Sequence, residues 1–65
     1  MQIRVNGEPL ATDARTLDEL CARLGYADAK IATAVNGTFV AAGQRPATRL
    51  VQADEIEIVA PRQGG

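Results

Sequence analysis

The sequence predicts an α+β domain in which one main helix packs on a mixed sheet of four to five strands. Three observations point to this class. Residues 2–5 and 55–59 alternate polar and apolar side chains, which is the pattern of half-buried strands. Residues 17–24 instead repeat apolar side chains every three or four positions, as one face of a helix does. The chain has 65 residues, enough for a single domain.

The first strand is predicted to return in a hairpin. Asn6 and Gly7 follow it directly and form a strong turn signal, because both residues tolerate positive φ. Residues 9–12 are the expected returning strand. Pro9 at its start suits an edge strand, where no backbone donor is lost from the sheet.

The helix has a recognisable beginning and end. Thr16 and Glu19 have the spacing of a capping box, in which Thr16 caps the amide of Glu19 and Glu19 reaches back. Gly25 is a typical helix stop. The apolar residues that share one face between them are Leu17, Leu20, Cys21 and Leu24.

For the second half of the chain, the sequence predicts strands and one irregular connection. Residues 31–35 are mostly apolar and rich in β-branched side chains, as expected of a buried strand. Asn36 and Gly37 repeat the turn signal, and residues 38–40 begin a partner strand. Residues 41–49 contain glycine and proline and are predicted to be irregular.

The predicted order is strand, strand, helix and three strands. The first hairpin and the last strand must cover the same helix for their apolar faces to meet, which describes a β-grasp, or ubiquitin-like, fold. We expect residues 1–61 to form this domain, because Pro61 ends the last strand, and residues 62–65 to form a flexible tail. The expected core is Ile3, Val5, Leu10, Leu17, Leu20, Cys21, Leu24, Ile31, Val35, Leu50, Ile56 and Ile58.

Composition argues against several classes of function. The net charge is −1 and both signs are mixed along the chain, so we expect no nucleic-acid or membrane partner. There is no histidine and one cysteine, so no metal site, disulfide or usual catalytic pair is expected. Cys21 lies on the apolar helix face and is interpreted as a buried structural thiol rather than a reactive one. Residues 1–5 lack the apolar core of a signal peptide, which favours a cytoplasmic protein.

The last residues are the best candidates for chemistry. Gly64 and Gly65 have no side chains, so they can enter a narrow cleft in another protein. The carboxylate of Gly65 is ionised at neutral pH and could attack the α-phosphate of ATP there. Arg62 and Gln63 are expected to contact the same partner. The alternative interpretation is a frayed end without a function.

Val59 is a further candidate for partner binding. It shares the outward face of the last strand with charged neighbours, and it lies two residues before Pro61. An apolar anchor at this position would fix the direction of the tail, although isolated exposed apolar residues are common.

The sequence resembles the ThiS family, the sulfur carrier proteins of thiamine thiazole biosynthesis. The resemblance covers essentially the whole chain. The residues on which the resemblance rests are 3–8, 16–20, 34–37, 54–59, Pro61 and Gly64-Gly65. There are two departures from the family pattern. Ala53 stands where glycine is usual, and Arg45-Pro46 stands where many members have an aromatic residue.

The resemblance implies a role as a protein co-substrate rather than an enzyme. An E1-like (ThiF-like) adenylating enzyme would activate Gly65 with ATP and magnesium, and the chain itself would bind no cofactor. A cysteine persulfide would supply sulfur to form a thiocarboxylate. Thiazole synthase (ThiG-like) would then accept the sulfur.

Three other functions remain open at this point. The small subunit of molybdopterin synthase has the same fold and tail. A ubiquitin-like modifier would instead join Gly65 to lysines of target proteins. A β-grasp binding module would carry out no chemistry at all.

Overall fold

The computed structural model describes residues 1–27 and 30–61 of the chain. Within them five strands form one sheet, accompanied by an α-helix and a short 3₁₀ helix. The elements are β1 (Gln2–Val5), β2 (Glu8–Ala11), α1 (Leu17–Arg23), β3 (Ala32–Val35), β4 (Thr38–Val40), η1 (Ala42–Ala47) and β5 (Glu55–Val59). The predicted α+β class is confirmed.

The sheet is mixed and has the order β2-β1-β5-β3-β4. The two alternating segments from the ends of the chain are neighbours, since β1 and β5 pair in parallel with Val5 opposite Ile56. All other pairs are antiparallel. β5 is therefore the central strand, and the order is that of the predicted β-grasp fold.

Both predicted hairpin turns have the expected geometry. Asn6 and Asn36 each have a φ of 51°, and the glycines that follow have φ values of 84° at Gly7 and 83° at Gly37. Positive φ at both central residues is what a two-residue type I′ turn requires. The two asparagine–glycine pairs thus set the register of β1 with β2 and of β3 with β4.

The helix begins at the predicted cap. The Thr16 hydroxyl accepts a hydrogen bond from the Glu19 amide at 3.1 Å. The Glu19 carboxylate reaches back one residue further than a standard capping box, since it accepts from the amide of Arg15 at 2.6 Å. Two amides that the helix itself cannot satisfy thereby obtain partners.

The core contains most of the predicted residues. The buried apolar residues are Ile3, Ala14, Leu17, Leu20, Cys21, Leu50, Ile56 and Ile58. Others on the predicted list pack against them while partly exposed: Val5, Leu10, Ile31 and Val35. Ala14, Thr33 and Asp54 are also buried and were not predicted.

The prediction that Leu24 belongs to the core is wrong. The helix ends at Arg23, and the backbone of Leu24 has already left helical geometry with φ −85° and ψ 1°. Its side chain is 38% exposed, beside Met1 and Leu10 at the surface. The periodic pattern continued for one residue more than the helix did, because Gly25, with φ 91°, turns the chain.

The connection before β5 is more ordered than predicted. Ala42–Ala47 form a 3₁₀ helix with Pro46 inside it, where irregular chain was expected. Its Arg45 donates from Nη2 to the Ile31 carbonyl at 2.7 Å and from Nε to the Thr33 hydroxyl at 3.0 Å. These bonds tie the 3₁₀ helix to β3 and give the buried Thr33 hydroxyl a donor.

Candidate functional site

The proposed reactive residues themselves lie outside the described part of the chain. Arg62, Gln63, Gly64 and Gly65 all follow Pro61, the last residue described. The structure therefore defines the root of the tail, meaning the end of β5 and the residues around it. That root decides where the tail starts and how firmly its starting point is held.

β5 is paired along most of its length on one side and over its first residues on the other. On one side Ala32 of β3 lies opposite Val59, so the antiparallel ladder extends to the strand end. On the other side β1 pairs with the first half of β5 only, through Glu55 and Ile56. Paired backbone groups are fixed by hydrogen bonds, so the end of β5 is held by β3 up to the residue two before Pro61.

The side chain of Asn6 continues the pairing where β1 stops. Its Oδ1 accepts from the Ile58 amide at 2.9 Å, and its Nδ2 donates to the Ile58 carbonyl at 3.1 Å. The Asn6 amide also donates to the Ile56 carbonyl at 2.8 Å. One turn residue thus satisfies both backbone groups of Ile58, the residue just before Val59.

Asn36 holds the beginning of β5 in a similar way. Its Oδ1 accepts from the Glu55 amide at 2.9 Å, and its Nδ2 donates to the Asp54 carboxylate at 2.9 Å. Asp54 is buried and also accepts from the Val51 amide at 2.8 Å. The carboxylate therefore has two donors and closes the turn that leads into β5.

The side chains of Asn6 and Asn36 thus clamp the two ends of β5. These two clamps were not predicted, because an asparagine–glycine pair is normally interpreted only as a turn. One signal could have found them. Val-Asn-Gly occurs twice, at residues 5–7 and 35–37. The repeat places one asparagine on each side of the central strand.

Val59 lies where the alternation of β5 predicted it. Ile56 and Ile58 are 1% and 5% exposed beneath the sheet, whereas Val59 is 64% exposed on the outer face. Phe39 of β4 is also 69% exposed, and its partner in β3 is Ala34. Whether Val59 contacts a partner stays a prediction, although its side chain is free to do so.

A groove lies beside the tail root, between the start of β3, the 3₁₀ helix and the end of β5. It has a volume of about 590 Å³. The apolar residues that line it are Ile31, Ala32, Ala42, Val59 and Pro61. Lys30 and Arg45 line it as well. Sequence reasoning did not predict the groove, because its walls come from three separate segments.

Cys21 has the environment of a structural thiol. It is buried under the sheet, and burial raises its pKa above the ordinary value. The positive charge of Arg45 opposes this shift and the negative charge of Asp18 adds to it, both less strongly than burial. The thiolate is therefore scarce at neutral pH, which agrees with the interpretation of Cys21 as unreactive.

An ion pair lies away from the tail root and has no connection to it. Arg23 pairs with Asp13 and, at 3.3 Å, with Glu19. The hydrogen bond from Arg23 lowers the pKa of Asp13, and the charge of Arg23 lowers it further. All three side chains are at the surface, where such pairs contribute little to stability.

The described residues contain no cluster of three or more metal-binding side chains. Over the same residues, no helix has the length and apolar character needed to cross a bilayer.

Comparison with known proteins identifies the family. The model of the ThiS family matches residues 3–65 of this chain. The chain belongs to the ThiS family. ThiS proteins are small sulfur carriers of thiamine biosynthesis rather than catalytic enzymes. The match includes the last two glycines, which the resemblance had rested on in part.

A solved ThiS structure agrees with the fold described above. The thiamine biosynthesis protein ThiS from Geobacter metallireducens is 30% identical to this chain and superposes with a TM-score of 0.79, covering 100% of both chains. No curated protein sequence matches the chain significantly. The predicted ThiS resemblance and β-grasp fold are confirmed.

Proposed function

We propose that this sulfur carrier works through the carboxylate of Gly65, which becomes a thiocarboxylate and donates sulfur to a ThiG-like thiazole synthase. The observation that carries the proposal is the ThiS family match, which extends to Gly65. The firmly paired β5 supports it, because a short tail can be delivered to another protein only from a fixed starting point.

The chemistry needs three steps and no group bound by this chain. A carboxylate oxygen of Gly65 attacks the α-phosphate of ATP in the ThiF-like adenylating enzyme, and pyrophosphate leaves with magnesium. A cysteine persulfide then attacks the acyl-adenylate carbonyl, and AMP leaves. A second thiol reduces the resulting acyl disulfide, which releases the thiocarboxylate and a disulfide.

The remaining predicted site residues act in recognition. Gly64 has no side chain, which lets Gly65 enter the narrow adenylation cleft. Arg62 and Gln63 contact the walls of that cleft, and Val59 contacts its rim. We also propose that these steps take place in the cytoplasm, where persulfide chemistry is protected from oxidation.

Intact mass measurement tests the proposal. The protein is incubated with the adenylating enzyme, ATP, magnesium, a cysteine persulfide source and a thiol. We expect the mass increase of one oxygen-to-sulfur exchange, which disappears when ATP is omitted. Covalent conjugates with other proteins would instead indicate a modifier. Sulfur transfer by this chain as the small subunit of a molybdopterin synthase, rather than to a thiazole synthase, would favour the molybdenum cofactor pathway.

A further inference from the structure

We propose that the groove beside the tail root binds an acidic segment of the adenylating enzyme that also carries an apolar side chain. The proposal rests on the proposed function, because it names the surface by which the same partner holds the carrier. It concerns Lys30 and Arg45, which none of the arguments above assigns to a partner. The lining of the groove, the anchoring of Arg45 and the position of Pro61 all favour this occupant.

The lining has two chemical parts. Side chains such as Ala32, Ala42 and Val59 make an apolar wall that gains from covering by another apolar group. The two charged lining residues, Lys30 and Arg45, are both cationic. No aspartate or glutamate lines the groove among the described residues, although the chain as a whole carries a net charge of −1. A docking segment that combines an apolar side chain with a carboxylate complements both parts.

Arg45 is prepared to bind such a carboxylate. Its guanidinium is held by the bonds from Nε to Thr33 and from Nη2 to the Ile31 carbonyl. Nη1 has no hydrogen-bond partner within residues 1–27 and 30–61. A fixed guanidinium loses little side-chain entropy when it donates to an incoming group, which favours binding.

The position of the groove identifies the occupant. Pro61 forms part of its wall, so a segment bound here lies at the point where the tail begins. The four residues that follow span roughly 13 Å when extended. The docking segment must therefore lie within that distance of the adenylation centre, as part of the enzyme that receives Gly65 would.

Charge reversal tests the inference. Lys30→Glu replaces an exposed lining residue whose side chain has no hydrogen-bond partner among the described residues. We expect it to weaken binding of the adenylating enzyme about tenfold by calorimetry, because the variant carboxylate would face the acidic segment. The matched control is Arg15→Glu, which makes the same charge change at an exposed site away from the groove. We expect less than about a twofold change for the control.

Two further measurements separate a charge effect from a structural one. Arg45→Lys keeps the positive charge but loses the planar guanidinium group, so we expect weaker binding of the adenylating enzyme. The backbone NMR spectrum should stay unchanged outside residues 31–33 and 42–48. Raising the salt concentration should weaken binding of the unmodified protein more than binding of Lys30→Glu.

The outcomes distinguish this inference from the proposed function. Suppose that the unmodified protein is adenylated, and that the Lys30→Glu variant folds and binds the enzyme as well as the Arg15→Glu variant does. The groove is then not the docking site, and the proposed function stands. If binding depends on Lys30 but Gly65 is never adenylated, the docking site stands and the function is wrong. If the unmodified protein does not bind the enzyme at all, both are wrong.

Discussion

At the scale of single residues, the site depends on a few backbone and side-chain details near β5. Ala53 has a φ of 73°, although it has a side chain, and its amide donates to the Gln2 carbonyl at 2.7 Å. This φ lies in the left-handed region, which costs a residue with a Cβ about 1 kcal/mol and which glycine adopts without strain.

We predict that Ala53→Gly raises the free energy of unfolding by up to about 1 kcal/mol, since it removes this strain while keeping the amide bond to Gln2. Urea denaturation measures the change. The matched control is Gly7→Ala, which introduces the same kind of strain at φ 84° and should destabilise the protein. A lower midpoint for Ala53→Gly would show that position 53 is not strained.

Cys21 gives a second prediction at this scale. Cys21→Ala should lower the free energy of unfolding by about 1 kcal/mol, because it removes a small buried group, and leave sulfur acceptance unchanged. Burial raises the thiol pKa, so alkylation of the native protein at neutral pH should be slow and should speed up in denaturant. Rapid alkylation of the native protein, or a folded variant that accepts no sulfur, would contradict the structural role.

Val59 gives a third prediction at the scale of single residues. Because 64% of its surface is exposed, Val59→Asp should leave the fold unchanged. If the side chain is buried against the adenylating enzyme, its loss removes roughly 1.5–3 kcal/mol of binding and raises KM about tenfold or more. Steady-state adenylation kinetics measure this, with the NMR spectrum as the check on folding. Unchanged kinetics would remove Val59 from the interface.

At the scale of elements, the pattern of apolar residues predicted strands and helix well and their ends less well. The alternation of β1 and β5 and the capping of α1 are local signals, and they gave the right elements. The helix ended one residue earlier than predicted, before Leu24, because Gly25 turns the chain there. The 3₁₀ helix at 42–47 depended on contacts with another part of the chain. Arg45 shows why, since its bonding partners lie in β3.

The clamp at the end of β5 leads to a fourth prediction. Asn6→Ala removes both side-chain bonds to Ile58, so we expect a loss of about 1–3 kcal/mol in stability and faster amide hydrogen exchange at Ile58. Asn6→Asp keeps an acceptor for the Ile58 amide and tolerates the positive φ, so its effect should be intermediate. Unchanged exchange at Ile58 in Asn6→Ala would mean that β5 does not need the clamp.

At the scale of the whole molecule, the fold brings the first and the last strand together in one sheet. β1 and β5 are far apart in sequence and pair in parallel at its centre. The β-grasp fold was predictable, because the first hairpin and the last strand both carry an apolar face that the same helix must cover. The groove at the tail root was not predictable, since it forms only when three distant segments meet.

In the proposed function, Gly65 carries the chemistry and the folded domain serves to present it. The most direct test compares the full chain with a variant that lacks Gly65, in the intact-mass assay with adenylating enzyme, ATP and a persulfide source. Because the core contains only residues before Pro61 among those described, we expect the shortened protein to keep its NMR spectrum and melting temperature. We predict a thiocarboxylate on the full chain and none on the shortened one. Sulfur acceptance by the shortened protein would show that Gly65 is not the sulfur acceptor.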